Sequence, residues 1–533
     1  MLMLGMLEMR NLSLSRLKEI FLSREFRLFF LLSVILNEIC FHFEPTNLGI
    51  KTYSDIFYDF SGSWRNHIYR YLAGERLYQD FYYPYPPLGF YIISLLFYIT
   101  GPSIFYQTIA TSIVAIIVHF GIFLLVEKKV RVDHLKTFVL IASLLFLNAS
   151  KHELFLGGNP FPLLLGFAFF VFALVYVERI EISTLLVLVA ASCKHEFWIG
   201  AFLLVSFFLS KNYKTVLPIL LGVVLVNILL GFNTLDIITG MGRSSWARWN
   251  FHWEGVLPQM LLFLPVLLAK RFSVLFLLIC LISLVFLHYW DVEMTRNSPL
   301  FLIFPFFLLF AKPKSVKYIF VFLIIFSLQM RRGFEWGEYT FNSLLPIFFG
   351  FIWKEESTIA QAKSTLVLAL LFLLSIYQFT LRNLIHLPSN DADFNLHRTE
   401  IGNLISKNDE GTFAELNDII KNKSVLTFPF CSGVSLLSQS KFTSPVTYFY
   451  SRDRVKTFDY YDQEIGMPEF IVIDENYLSW NDYPYFENTL LKWKLGNERV
   501  NLAQQYPEIF DLIKQSYKKI KVIDNFSVYE RNN

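Results

Sequence analysis

Charge is scarce in this chain: 17% of its 533 residues are Asp, Glu, Lys or Arg, against roughly a quarter in a soluble protein. The net charge is only +3, and no basic stripe carries base-stacking aromatics, so no nucleic-acid partner is implied. The four cysteines (Cys40, Cys193, Cys280, Cys431) lack metal-ligand spacing and say little about redox compartment. The first stretch, with Arg10, Arg16, Lys18, Arg24 and Arg27 among leucines, lacks a small-residue cleavage site after the apolar run near 29–39. It therefore reads as a basic amphipathic surface helix on the cytoplasmic side rather than a signal peptide. No repeat relates the two halves of the chain.

What is abundant is oil. Hydrophobic residues make up 54%, phenylalanine alone numbers 58, and mean hydropathy is +0.44. Runs such as Phe301-Leu302-Ile303-Phe304-Pro305-Phe306-Phe307-Leu308-Leu309-Phe310 recur. This pattern predicts a polytopic α-helical membrane protein. Apolar runs lie near 87–100, 103–126, 137–149, 161–177, 182–193, 197–209 and 215–232, then near 257–269, 272–288, 299–311, 317–329, 340–353 and 365–380. Short basic loops, such as Lys211-Asn212-Tyr213-Lys214, Lys270-Arg271 and Lys312-Pro313-Lys314, are expected in the cytoplasm. The alternating loops, richer in Trp, His, Gly and acids, are expected outside. One conflict stands: if 87–100 and 103–126 both span, the basic loop at 127–136 falls on the outer side.

Composition changes at about Arg382. The division is a multi-span domain over 1–381, with its first outer loop at about 44–86, and a C-terminal soluble α/β domain over 382–533. Strand-like runs lie at Val425–Phe428, Phe470–Ile473, Ile520–Ile523 and Phe526–Tyr529, with helical patterns near 413–421 and 503–518. This tail holds no Gly-rich phosphate loop and no nucleotide fingerprint, which fits a donor carried on a lipid. It is expected to lie outside the cytoplasm.

The polar loop between the first two apolar runs is the focus. It runs through Asp55 and Asp59, Ala73-Gly74-Glu75-Arg76-Leu77-Tyr78-Gln79-Asp80-Phe81, and Tyr83-Pro84-Tyr85-Pro86-Pro87-Leu88, with Trp64, Arg65, His67 and Arg70 between. A carboxylate held at a membrane surface can act as a general base on an acceptor hydroxyl. The alternative is an interfacial loop whose tyrosines and tryptophans sit at headgroup level. Both readings stand.

The order of an acid, then Ala/Leu-Gly-x-x-x-Tyr-x-Asp-Phe, then Pro-Pro-Leu opening a helix resembles the first outer loop of GT-C-type glycosyltransferases. The nearest in character use a polyprenyl-phosphate sugar, like protein mannosyltransferases and lipid A aminoarabinose transferases. The resemblance implies a GT-C-like fold and puts the catalytic Asp at Asp59, with Asp55 as the fallback. Phe60 stands where that family often has a second acid, and Tyr85 where some members carry a lysine before Pro-Pro. Asp80 and Tyr85 are carried as substrate-binding candidates, although Gln79-Asp80 also suits a turn or helix cap. The small-residue helix ending in Lys194 repeats the family pattern, which adds Lys194 as a phosphate ligand.

Arg331-Arg332, followed by Gly333, is the one adjacent arginine pair among the expected outer loops and is the further candidate for the donor phosphate. The alternative is that both snorkel to headgroups. Lys151-His152-Glu153 and Lys194-His195-Glu196 invite a divalent cation, but interfacial charge clusters are the default, so no metal ligand is assigned.

The implied function is transfer of a sugar from a polyprenyl-phosphate carrier to a lipid, glycan or protein acceptor. The implied place is the inner (plasma) membrane, multi-pass, with the active site extracytoplasmic. The competing readings are a transporter or flippase, and an inactive binding component of envelope polysaccharide export. Polar residues gathered in loops on one face, without a repeat, favour the enzyme.

Overall fold

The computed structural model describes residues 22–43, 67–81, 83, 85–100, 104–129, 160–194, 197–229, 373, 396–398, 404–428, 431, 434–435, 438, 440–443, 467–475, 478–481 and 499–532. Among the described residues the longer helices that come first are α1 (Arg24–Phe43), α2 (Pro87–Thr100), α3 (Ile104–Lys129), α4 (Pro160–Val175), α5 (Ile180–Cys193) and α6 (Trp198–Leu229). Prolines open α2 and α4, where the missing N–H costs no helical hydrogen bond. Hydroxyls inside these apolar helices bond back to their own turns, as Ser94 does to the Phe90 carbonyl at 2.7 Å.

Helix α4 is the hub, packed against α2, α3 and α5. It buries Phe161, Leu163, Leu164, Phe167 and Val171. Three glycines permit the close approach. A Cβ on Gly89 of α2 would lie 2.9 Å from Cβ of Pro162, one on Gly121 of α3 would lie 2.9 Å from Cγ1 of Val171, and one on Gly166 would lie 2.6 Å from Cε2 of Phe197. Ser183 of α5 donates to the Ala173 carbonyl of α4 at 2.8 Å, the kind of polar clasp that fixes two apolar helices in register. At the other end of the group, Phe26 of α1 meets Phe120 and Phe123 of α3 edge-on at 5.4 and 5.5 Å. Outward faces stay apolar: Ile109, Ile113 and Ile117 of α3, four residues apart, are all exposed.

The polytopic, GT-C-like fold expected from composition is corrected here. Among the described residues one helix, Gly200–Leu225 within α6, is long and apolar enough to cross a membrane. The apolar stretches Pro87–Thr100, Ile109–Leu125, Phe161–Val175 and Ile180–Cys193 have only 10–17 residues. At about 1.5 Å per residue, even the longest falls short of a hydrocarbon core of about 30 Å. A multi-pass topology is therefore not supported, and one helix of spanning length is what bears on membrane association. Composition misled because apolar residues count alike whether they face lipid or a neighbouring helix, and many here face α4. The runs expected at 137–149 and from 257 to 353 lie outside the described residues, as does 365–380 apart from Leu373.

Inside α6 the basic stretch expected as a loop at Lys211–Lys214 coincides with a kink: the helical path is interrupted at Asn212 (φ −151°, ψ 75°), and Pro218 lies in the helix beyond it.

In the tail, short strands β1 (Leu396–Arg398) and β2 (Leu404–Ser406) pair antiparallel, as do β6 (Ser479–Asn481) and β7 (Arg499–Asn501). The main sheet has five strands: β3 (Ser424–Phe428), β4 (Lys441–Phe442), β5 (Phe470–Asp474), β8 (Tyr517–Ile523) and β9 (Phe526–Arg531). Their order is β4-β3-β5-β9-β8, parallel among β4, β3 and β5 and antiparallel from β5 outward to β8. All four strand-like runs read from the sequence lie in this sheet.

Helix α7 (Lys407–Ile420) covers one face, bringing Leu416 and Ile420 onto Val425, Val472, Phe526 and Val528. Helices α8 (Leu502–Gln505) and α9 (Pro507–Ser516) follow β7, and Tyr506 and Phe510 meet Phe428 edge-on. Two non-glycine residues with positive φ mark sharp stops: Asn422 (59°) just after α7 and Asp524 (50°) in the β8–β9 turn. The Asp524 carboxylate accepts a hydrogen bond from the Thr412 hydroxyl, tying that turn to α7. Strand β8 is an outer edge and carries Lys518, Lys519 and Lys521, which pair with Glu530 (3.6 Å), Glu475 (3.8 Å) and Glu415 (2.9 Å).

Candidate functional site

The site is built from the polar loop before α2 and the end of α5. Residues 67–72 are helical, and Gly74 (φ 99°) turns the chain back. Arg70 then clamps the turn. Its Nε donates to Glu75 Oε2 at 2.6 Å, and its Nη2 donates to the Asp80 carbonyl at 3.1 Å. Both Arg70 and Glu75 are largely withdrawn from water, at 7% and 22% side-chain exposure. Burial lowers the Arg70 guanidinium's pKa and the Glu75 carboxylate raises it back in part.

Asp80 closes the second turn. Its Oδ2 accepts the Arg76 N–H at 2.7 Å, and its carboxylate meets the Arg76 guanidinium at 3.4 Å. The Arg76 N–H is the first reason its pKa is held below the usual carboxylate value. Asp80 therefore closes the turn that begins at Arg76, in keeping with the turn alternative read from the sequence. Tyr78 sits between them in the left-handed region (φ 66°), an uncommon place for a bulky residue. Its hydroxyl donates to the Tyr85 carbonyl, which offsets the strain and fixes the chain entering α2.

Aromatic rings continue from this turn into the helices. His67 stacks on Phe81 at 5.2 Å (20° between planes) and meets Tyr83 edge-on at 6.0 Å. Tyr83 in turn meets Tyr85 at 5.5 Å and Phe90 of α2 at 5.1 Å. The Arg70 guanidinium lies 5.1 Å from the Phe81 centroid. Lys194 completes the series, with Nζ 4.7 Å from the Tyr85 ring centroid. It is 2% exposed and is the first residue past α5, where an extended backbone (φ −155°, ψ 141°) turns its side chain out of the helix path. Trp198 Nε1 donates to the Ala191 carbonyl at 2.9 Å and holds the start of α6 to the end of α5 beside it.

Of the site residues read from the sequence, Tyr85 and Lys194 are brought together, and Asp80 lies in the same loop but faces Arg76. Asp55, Asp59, Arg331 and Arg332 lie outside the described residues, as do His152, Glu153, His195 and Glu196. Among the described residues no three His, Cys, Asp or Glu side chains converge as metal ligands. Sequence reasoning gave no role to Arg70, Tyr78 or His67. The only signal they offered was membership of a loop unusually dense in arginine and aromatic residues.

Chemically, the arrangement sets the buried Lys194 ammonium at the end of a row of aromatic faces, with Arg70 committed to Glu75 and the Asp80 carbonyl. Such a surface suits an anionic group joined to a flat or ring-shaped one. No protein-family model matches the chain, and no curated protein matches it.

Proposed function

We propose that the chain is a membrane-associated glycosyltransferase that moves a sugar from a polyprenyl-phosphate carrier to an acceptor hydroxyl on the extracytoplasmic face. The observation that carries this reading is the meeting of Lys194 with Tyr85, two residues nominated by separate phrases of the sequence. In this reading Lys194 holds the donor phosphate, and Arg331 or Arg332 adds a second charge. The acceptor oxygen forms a bond to the sugar's anomeric carbon as the bond from that carbon to the phosphate oxygen breaks. The electron pair leaves with the polyprenyl phosphate, whose gained charge the cations stabilise. The acceptor's proton passes to the Asp59 carboxylate, with Asp55 as the alternative base. The extracytoplasmic α/β domain over 382–533 lies on the same side.

Membranes containing the protein, supplied with a panel of polyprenyl-phosphate sugars, test the reading. Transfer of one sugar, abolished in Asp59→Asn and less affected in Asp55→Asn, is the expected result. Loss of a positioned base costs about 10²–10⁴-fold. No transfer from any donor, or full activity in both variants, overturns it.

A further inference from the structure

His67 is a buried polar residue with nothing yet to do. It is 4% exposed, and among the described residues neither Nδ1 nor Nε2 has a hydrogen-bond partner. Buried polar atoms are nearly always paired, and leaving one unpaired is costly, so two on one ring call for an explanation. The described groups around it do not supply one: Phe81 presents its face and Tyr83 meets the ring edge-on.

The chemistry of the missing partner can be narrowed. Burial and the nearby Arg70 push the imidazole's pKa down to about 3, so the ring is neutral and carries one N–H donor and one lone-pair acceptor. The same Arg70 charge repels a metal ion or an ammonium. A phosphate group only accepts, and would leave the acceptor nitrogen unserved. A hydroxyl both donates and accepts, and adjacent hydroxyls on a sugar can serve both nitrogens. The series His67, Tyr83, Tyr85, Lys194 is continuous through ring contacts, so such a group would lie at the far end from the lysine.

We propose that His67 binds the sugar of the donor, accepting from one hydroxyl and donating to another, at the end of the aromatic row opposite Lys194. This rests on the glycosyltransferase reading and deepens it by separating the sugar contact from the phosphate contact.

The test uses the full chain in detergent and measures binding of farnesyl phosphate and of its mannosyl, glucosyl, galactosyl and 4-aminoarabinosyl esters. In the unaltered protein one ester should bind about tenfold tighter than farnesyl phosphate, the size of a few net hydrogen bonds. His67→Phe keeps an aromatic ring and removes both nitrogens. It should bind farnesyl phosphate normally and lose the sugar's advantage. His67→Gln keeps a donor and an acceptor and should retain part of it. The imidazole ¹⁵N resonances of the unaltered protein give a readout independent of any variant: they should move with the preferred ester and stay still with farnesyl phosphate. An advantage that survives His67→Phe, no ester tighter than farnesyl phosphate, or ¹⁵N resonances that ignore the sugar would each overturn the proposal; water then satisfies the ring. Failure of the underlying reading looks different, because farnesyl phosphate itself would not bind.

Discussion

The ammonium of Lys194 lies 4.7 Å from the centre of the Tyr85 ring, joining the end of α5 to the loop that opens α2. A cation desolvated over a tyrosine face is worth about 0.5–2 kcal/mol, at the upper end when buried as here. A double-mutant cycle with Lys194→Met and Tyr85→Leu should give a coupling of about 1–2 kcal/mol in thermal or denaturant unfolding. Strictly additive effects would mean that the proximity carries no energy. The backbone bond from Tyr78 survives Tyr85→Leu, because it is made to the carbonyl.

Arg70→Ala should be among the most damaging changes in the loop. It strands the Glu75 carboxylate and removes the donor to the Asp80 carbonyl. Breaking a buried pair from one side costs about 3–5 kcal/mol, and the partial exposure of Glu75 places this one near the lower limit. Arg70→Ala with Glu75→Gln should recover part of the loss. Unfolding midpoints of the three proteins decide it, and a single variant as stable as the parent would refute the clamp.

His67 sets a pH signature. Its folded pKa of about 3 lies below the ordinary value of 6.5, so between those values the unfolded chain binds the extra proton. Stability from this residue is therefore present above pH 6.5 and is lost as pH falls toward 3, at up to about 1.4 kcal/mol per pH unit. In His67→Phe the stability curve should be flatter than the parent's across this window. Parallel curves would show that the ring titrates normally.

Gly166 should be intolerant of a single methyl. A Cβ there would meet Phe197 Cε2 at 2.6 Å, Cδ2 at 2.8 Å and the Ala190 carbonyl at 3.2 Å. Overpacking costs about 1–3 kcal/mol, against about 1 kcal/mol gained from alanine's helix propensity, so Gly166→Ala should destabilise by about 1 kcal/mol. In a Phe197→Leu background the same change should become neutral or stabilising. An unchanged sign in that background would show that the aromatic ring is not what crowds the position.

In the tail, Cys431 should resist alkylation. Its thiol is fully buried and pushed up to about 12, mainly by that burial. In a variant whose other three cysteines are alanine, maleimide should label the protein in urea but not in native buffer. Prompt native labelling would contradict the packing of α7 on the sheet.

What the sequence disclosed follows from the range of the interactions involved. The helix from Pro87 and the strand runs at 425–428 and 470–473 were legible because local periodicity and proline placement decide them. The turn role of Asp80 was legible for the same reason, since its partner Arg76 is four residues away. The Lys194–Tyr85 contact was not, because it depends on how α5 and α2 pack. Nor was the strand order β4-β3-β5-β9-β8. The multi-span expectation failed at a step that hydropathy does not contain: whether an apolar side chain finds lipid or Phe167 across a helix interface. Tyr78's backbone was invisible for a related reason, since the Tyr85 carbonyl that its hydroxyl reaches is set by how the chain enters α2.

Strand β8 has a further meaning for the tail's behaviour in company. An outermost strand normally presents a row of open peptide groups that another chain can extend, which is how sheets fuse into aggregates. Here the outermost described strand is rich in lysine: Lys518, Lys519 and Lys521 stand on it, with a bulge between Lys519 and Lys521. A stranger strand arriving there would have to accommodate three lysine–glutamate ion pairs and match an irregular ladder. Among the described residues the opposite border is β4, which is two residues long and offers little to extend. Both described borders thus carry features that discourage a stranger strand from joining.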